Sequence, residues 1–191
     1  MKNKRFPTYI KAFCCLIIGS AIFNESIMAV PRYTPTNDAS IDTLANGQKN
    51  YVLNGSFEET DGKTLDNWTV DGGQAAKISL KGRTGKYQLG HYSKDAFKVT
   101  TYQKINNLPK GKYTLRGYIQ TSGQLNTGYV FVKNYGGKDL TTAAPLEKTW
   151  WKYFEIKDIE IKNGQCTIGL FTDGNAGNWC GLDDLELIEQ L

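Results

Sequence analysis

The stretch KYTLRGYIQ, Lys112 to Gln120, changes character at every second residue. Tyr113, Leu115, Gly117 and Ile119 fall on one side, and Lys112, Thr114, Arg116, Tyr118 and Gln120 on the other. A period of two belongs to a half-buried β-strand, because successive side chains leave a strand on opposite faces. TGYVFVKNY repeats the pattern, setting Tyr129, Phe131 and Lys133 against Val130, Val132 and Asn134. The runs YVLNGS, NWTV, AKISL, YQLGHY, FKVTTYQKI, YFEIKDIEI, CTIGLF and LDDLELI bring the count to about ten strands. Gly, Asn, Asp and Pro punctuate them, with Pro109 and Gly111 marking one turn. No helical period interrupts the series after Tyr51. The chain is therefore expected to be all-β, a β-sandwich of two antiparallel sheets, with Tyr113, Phe131 and Phe154 in its core.

The first 29 residues follow another rule. Lys2, Lys4, Arg5 and Lys11 precede the apolar run AFCCLIIGSAIF, and Ala29 closes SIMA at a cleavage position. Charged, apolar and small residues in that order predict a secretory signal peptide. About a dozen apolar residues fall short of the roughly 20 that a membrane span needs. Residues 30–48, with two prolines and many small polar residues, read as a flexible arm or linker before a domain at 49–191. Export is thus expected, to the periplasm or the outside of the cell, with no stable membrane insertion.

Charge narrows the partners. The formal net charge is +4, and three of those four charges lie in residues 1–29. About +1 remains on the rest, so neither nucleic acid nor an anionic membrane is indicated. The remaining length of about 160 residues suits one domain with one core, and a monomer is expected.

Cys166 and Cys180 would meet oxidising conditions after export, which makes them a disulfide candidate. If CTIGLF and WCGLDDLEL form a hairpin turning near Asn175, Cys166 lies opposite residue 184. The offset of about 13 Å along the strand exceeds the roughly 7 Å that bridged Cα atoms allow. A bridge would need Cys180 in a bent loop ahead of its strand.

Three separated segments resemble jelly-roll carbohydrate-binding modules. LNGSFEETDGKTLDNW (Leu53 to Trp68) is similar to their opening, YQKINNLPKGKYTLRGYIQTSG to their central hairpin, and GLDDLELI to their closing strand. GHYS, KNYGG and GNWCGLDDLEL resemble, more narrowly, carbohydrate-binding module family 61, whose members accompany secreted endo-galactanases and bind β-1,4-galactan. The likeness runs from about Asn50 to Ile188 and includes no catalytic domain. It implies a secreted, non-catalytic, lectin-like protein that takes poly- or oligosaccharide, with β-galactan or a galactose-containing glycan as ligand. It also implies a structural calcium ion held by Glu58 and one of Asp183 and Asp184. Adjacent strand residues point to opposite faces, so neither Glu58–Glu59 nor Asp183–Asp184 can set both carboxylates in one glycosidase cleft. A hard cation takes six to eight oxygens at about 2.3–2.6 Å, which residues from the first and last strands could share.

The candidate ligand contacts are aromatic planes bordered by directional polar groups, because a sugar offers a C–H face and a ring of hydroxyls. Trp179 lies in DGNAGNW, Tyr118 shares a polar strand face with Arg116 and Gln120, and Tyr135 follows Asn134 beside two glycines. Trp179 is expected as a platform with one or two of Tyr92, Tyr118 and Tyr135. His91, Arg116, Gln120, Asn134 and Asp173 are expected to supply hydrogen bonds. His91 is the chain's single histidine, which excludes a multi-histidine metal site. Two other classes stay open. A β-sandwich lyase or hydrolase could draw on His91, Tyr92 or Tyr118, Gln103 or Gln120, and Arg116; a secreted protein-binding factor would need none of them.

Overall fold

The computed structural model describes residues 42–190. The expected signal peptide and most of the expected arm lie outside them. Twelve strands follow in chain order: β1 Asp42–Thr43, β2 Lys49–Asn50, β3 Thr69–Asp71, β4 Ala76–Leu80, β5 Tyr87–Tyr92 and β6 Phe97–Asn106. Then come β7 Gly111–Thr121, β8 Thr127–Lys133, β9 Leu140–Ala143, β10 Thr149–Ile161, β11 Gln165–Gly174 and β12 Trp179–Glu189. One five-stranded sheet runs β10-β7-β12-β5-β4 and a second β3-β6-β11-β8-β9, with β1 and β2 as a separate pair. Every pairing is antiparallel. The β-sandwich expected from the alternation is the fold found.

Alternation also places the interior. In β7, Tyr113, Leu115 and Ile119 are buried while Arg116 and Tyr118 stay half-exposed. Leu89, Leu115, Ile168, Leu170, Leu182, Leu185 and Leu187 meet in one core between the sheets. Each such side chain contributes roughly 1.5–3 kcal/mol by leaving water. Tyr113 and Phe154 join them, as expected. Phe131 is buried too, but on the outward face of the second sheet. It is 4% exposed and packs against Tyr129, while Val130 and Val132 face the interior.

Several expectations change. YVLNGS forms turns rather than a strand, with Asn54 (φ 48°) and Phe57 (φ 57°) in the left-handed region. Asn54 Nδ2 donates to the carbonyls of Glu59 and Asp66, and its own carbonyl accepts from Trp68 Nε1, so the side chain is committed to holding this loop. Phe57 then plugs the core against Trp68, ring centroids 5.3 Å apart. Asp42–Thr43, grouped with the arm by composition, pairs with Lys49–Asn50.

The disulfide is corrected. β11 and β12 form no hairpin, because the segment at Asn175–Asn178 crosses from one sheet to the other. Cys166 sits opposite Ile105 near the start of β11, and Cys180 opposite His91 and Thr121 near the start of β12. Roughly 25 Å of strand separates Cys166 from the crossover beside Cys180. Both thiols are free and buried, and burial pushes each up to about 12.

Candidate functional site

His91 is a core residue, which corrects its expected role as a sugar contact. It alternates inward with Leu89 along β5 and is 0% exposed. Nδ1 lies 3.0 Å from Thr172 Oγ1 and Nε2 2.9 Å from Thr101 Oγ1, both on the opposite sheet. Burial pushes the imidazole down to about 3, so it is neutral, with one nitrogen donating and the other accepting. The ring joins the two sheets, so although His91 is among the residues lining the hollow on the first sheet, both its nitrogens are spent on the interior.

Its neighbours on β5 do the opposite. Gln88, Gly90 and Tyr92 point outward from the first sheet into a hollow of about 470 Å³. Gly181 of β12 pairs directly with Gly90 at its floor. Any larger residue at either position would displace a neighbouring side chain. A Cβ on Gly90 would fall 2.2 Å from Ser79 Oγ, and one on Gly181 would fall 2.2 Å from Gln88 Oε1 and 2.9 Å from Gln120 Cγ. The glycine pair makes room for Ser79, Gln88 and Gln120 to lie close against the sheet beneath the hollow.

Aromatic rings stand around that floor. Trp179 pairs across the ladder with Tyr92, which is 38% exposed. Trp150, 66% exposed, lies with its ring centroid 6.1 Å from that of Trp179 at an interplanar angle of 40°. Trp179 is fixed from behind, since its backbone N–H donates to Ser122 Oγ and its carbonyl accepts from Ser122 N–H.

A pair of amides supplies polarity. Gln88 Nε2 donates to the carbonyls of Leu80 and Lys81, which fixes its orientation and turns Oε1 toward Gln120. Gln120 Nε2 therefore donates to Gln88 Oε1 at 2.8 Å, leaving Gln120 Oε1 buried with no partner among the described residues. An unmet buried acceptor costs about 1–3 kcal/mol until a donor arrives.

The other expected contacts disperse. Arg116 and Tyr118 line a second hollow of about 510 Å³ further along β7 and β12, together with Tyr153, Arg83, Asp184 and Glu186. Its charges are paired: Arg116 with Glu186 at 2.6 Å and Arg83 with Asp184 at 2.8 Å. The Arg83 guanidinium also stacks 3.5 Å above Tyr118. Tyr135 is corrected from platform to core: it is 6% exposed and its hydroxyl donates to the Lys138 carbonyl. Asn134 donates to Thr167 Oγ1 on the second sheet, and Asp173 pairs there with Asn126 and Lys98. The Asn126 amide, then the Lys98 ammonium, hold the Asp173 carboxyl below its usual range. Neither residue lines the glycine-floored groove. The lyase set is likewise scattered, with His91 sealed inside and Gln103 committed to the backbone of Leu53 and Asn67.

Glu58, Asp183 and Asp184 gather around one loop rather than one point. Glu58 Oε1 accepts from the N–H groups of Lys86 and Tyr87, Asp183 from those of Arg83 and Asp184, and Asp184 from the Arg83 guanidinium. Among the described residues no three His, Cys, Asp or Glu side chains are grouped to hold a metal. The donor type suits calcium, but the arrangement does not fit it, because these oxygens already face N–H donors. Asp183 is 0% exposed, and burial, then the Asp184 charge, push its carboxyl up to about 7.

Comparison with known proteins follows the fold. No family model matches the sequence. A 1,6-alpha-glucosyltransferase of Sporosarcina globispora is 24% identical over 160 residues, which cover 75% of this chain. The chain spans only 12% of that protein's length. Among solved structures, TmCBM61 in complex with β-1,4-galactotriose superposes with a TM-score of 0.66 at 26% identity, covering 74% of this chain and 99% of that one. A family 16 carbohydrate-binding module gives 0.56 at 18% identity, covering 73% and 100%. A family 4 module gives 0.51 at 16%, covering 73% and 99%. The chain has the jelly-roll fold of carbohydrate-binding modules.

Proposed function

We propose that this is an exported, non-catalytic carbohydrate-binding protein, and that the groove over Gly90 and Gly181 takes β-galactan or another galactose-containing glycan. One observation carries the reading: a hollow lined by Trp150, Trp179 and Tyr92, over a paired-glycine floor on which the oriented amides of Gln88 and Gln120 lie. A pyranose laid in it meets indole faces on its C–H side and the Gln88–Gln120 pair on its hydroxyl side. The galactose preference draws its support from the likeness to a galactotriose-bound module, and export from the charged, apolar and small residues at the N-terminus. No Asp or Glu lines this groove, so it lacks the paired carboxylates of glycoside hydrolysis.

Isothermal titration of the protein with β-1,4-galactotriose, and with an α-1,6-linked glucan beside it, tests this. Saturable galactotriose binding at micromolar to millimolar Kd, on the order expected for a few stacked sugars, supports the reading. Failure to bind any saccharide across a glycan array sinks it. Calcium at Glu58, Asp183 and Asp184 is a separate proposal, supported by donor type alone, since these oxygens already accept from N–H groups. A cation there would require the loop amides to turn away. A fall in Tm on chelation that calcium alone restores would establish it, and an unmoved Tm would leave the amides in charge of that loop.

A further inference from the structure

We infer that the groove is built for an anionic glycan, a galactose-containing chain that carries carboxylate or sulfate groups. The inference rests on the sugar-binding reading and adds the charge of the ligand. Lys77, Lys81 and Lys148 line the groove, and no carboxylate does. Among the described residues none of these three ammonium groups belongs to an ion pair; the six pairs present use other cations. The neighbouring hollow makes the contrast, since both of its arginines are neutralised by Asp184 and Glu186.

Position matters as much as count. Lys77 belongs to β4 and Lys81 follows it, while Lys148 immediately precedes β10. β4 and β10 are the two edge strands of the sheet, so positive charge stands on both rims with aromatic rings and amides between. Lys77 Nζ lies 5.5 Å from the Tyr92 ring centroid, and Lys148 Nζ lies 5.9 Å from that of Trp150, so the charges sit beside the platforms. Nor does the groove merely share in a basic surface. Beyond residue 29 the chain carries about one net positive charge, so three uncompensated lysines are a local concentration. Lysine offers a compact charge without a planar fork, which suits carboxylate and sulfate alike.

The test is titration of the full chain with a matched galactan, unmodified and sulfated, alongside a galacturonate-bearing pectic galactan, β-1,4-galactotriose and polyglutamate. At about 20 mM salt the acidic glycans are expected to bind at least about tenfold tighter than the neutral ones, the gap closing to about twofold near 0.5 M. Comparing the sulfated and uronate arms tells which anion is preferred. Each of K77Q, K81Q and K148Q is expected to narrow the gap about 1.5- to 5-fold, and the triple variant to abolish it with Tm unchanged. Equal, salt-insensitive affinities for neutral and acidic galactan would overturn the inference while leaving sugar binding intact. Polyglutamate bound as tightly as the acidic galactans would also overturn it, by revealing a general polyanion surface. If no saccharide binds, neutral or charged, the sugar-binding reading falls and this inference with it.

Discussion

The two outward faces of the sandwich use the same residues to opposite ends. On the first sheet, Gly90 and Gly181 are covered only by the small polar reach of Ser79, Gln88 and Gln120, and the hollow outside them is lined by Trp150, Trp179 and Tyr92. On the second, Gly169 of β11 pairs with Phe131 of β8, amid Tyr102, Tyr129 and Phe171. There the ring fills the space: a Cβ on Gly169 would fall 2.6 Å from Phe131 Cζ and 2.5 Å from the Thr101 carbonyl. A glycine among aromatics is therefore either half of a packed ring–backbone contact or part of the floor of a groove. What differs is the cover: a packed ring over Gly169, short polar side chains and amides over Gly90 and Gly181. Tyr129 and Phe171, 5.1 Å apart and tilted onto each other, have spent their faces on one another. Tyr92 and Trp150 stay 38% and 66% exposed, although Trp150 also leans on Trp179.

Substituting the glycines should separate the two faces most sharply. Gly181→Leu places a side chain into the Gln88–Gln120 pair and fills the groove, so galactotriose affinity is expected to fall by at least about 100-fold. Gly169→Ala should leave that affinity alone and instead cost about 1–3 kcal/mol of stability through overpacking against Phe131 and the Thr101 carbonyl. Titration calorimetry and urea unfolding of both variants read the two quantities. If Gly169→Ala weakened sugar binding as much as Gly181→Leu, the functional distinction between the faces would be lost.

Much of this was legible before any coordinates, and the failures have physical causes. Alternation in YQLGHY already sets Gln88, Gly90 and Tyr92 on one face and Leu89 with His91 on the other. Read strictly, it forecasts a buried histidine, and the expectation of a sugar contact came from weighing chemistry above period. Trp150 escaped notice because the alternation of its strand is clear only from Tyr153 onward, and β10 has a register shift between Thr149 and Lys152. No local signal reveals that Gly90 and Gly181 pair, since that follows from β12 inserting between β5 and β7. The same insertion defeats the hairpin reading of β11 and β12, and with it the disulfide. Tyr135 failed for a subtler reason: a strand-end tyrosine beside glycines looks bare, yet the turn folds its hydroxyl back onto Lys138.

Trimming rings tests the comparison at a smaller scale. Trp179→Ala removes the platform that backs onto Ser122 and should weaken galactotriose binding by about 30-fold, the loss of a central anchor. Phe171→Ala, on the other face, is expected to cost about 1–2 kcal/mol of stability by exposing its partner rings, with binding untouched. A Trp179→Ala protein that bound as the parent does would move the site to the hollow at Tyr118 and Tyr153.

The two faces also share a tie between them. His91 ties the sheets through Thr101 and Thr172, and burial holds its pKa near 3, below the ordinary value of 6.5. Below pH 6.5 the unfolded chain takes up a proton that the folded chain refuses, so this residue's contribution to stability is intact above that pH. It declines by about 1.4 kcal/mol per pH unit as the pH drops toward 3. Asp183, raised to about 7, acts with the opposite sign, losing stability as the pH rises from 3.8 through 7. The two partly offset each other in the parent protein. His91→Gln removes one and keeps the other, so the stability difference between parent and variant, from urea unfolding at pH 7, 6, 5 and 4, isolates the histidine. The parent's advantage should shrink by about tenfold in the unfolding constant per unit below pH 6.5. Parallel curves would mean that the imidazole takes up its proton inside the fold, and that the link between the sheets is looser than two hydrogen bonds near 3 Å imply.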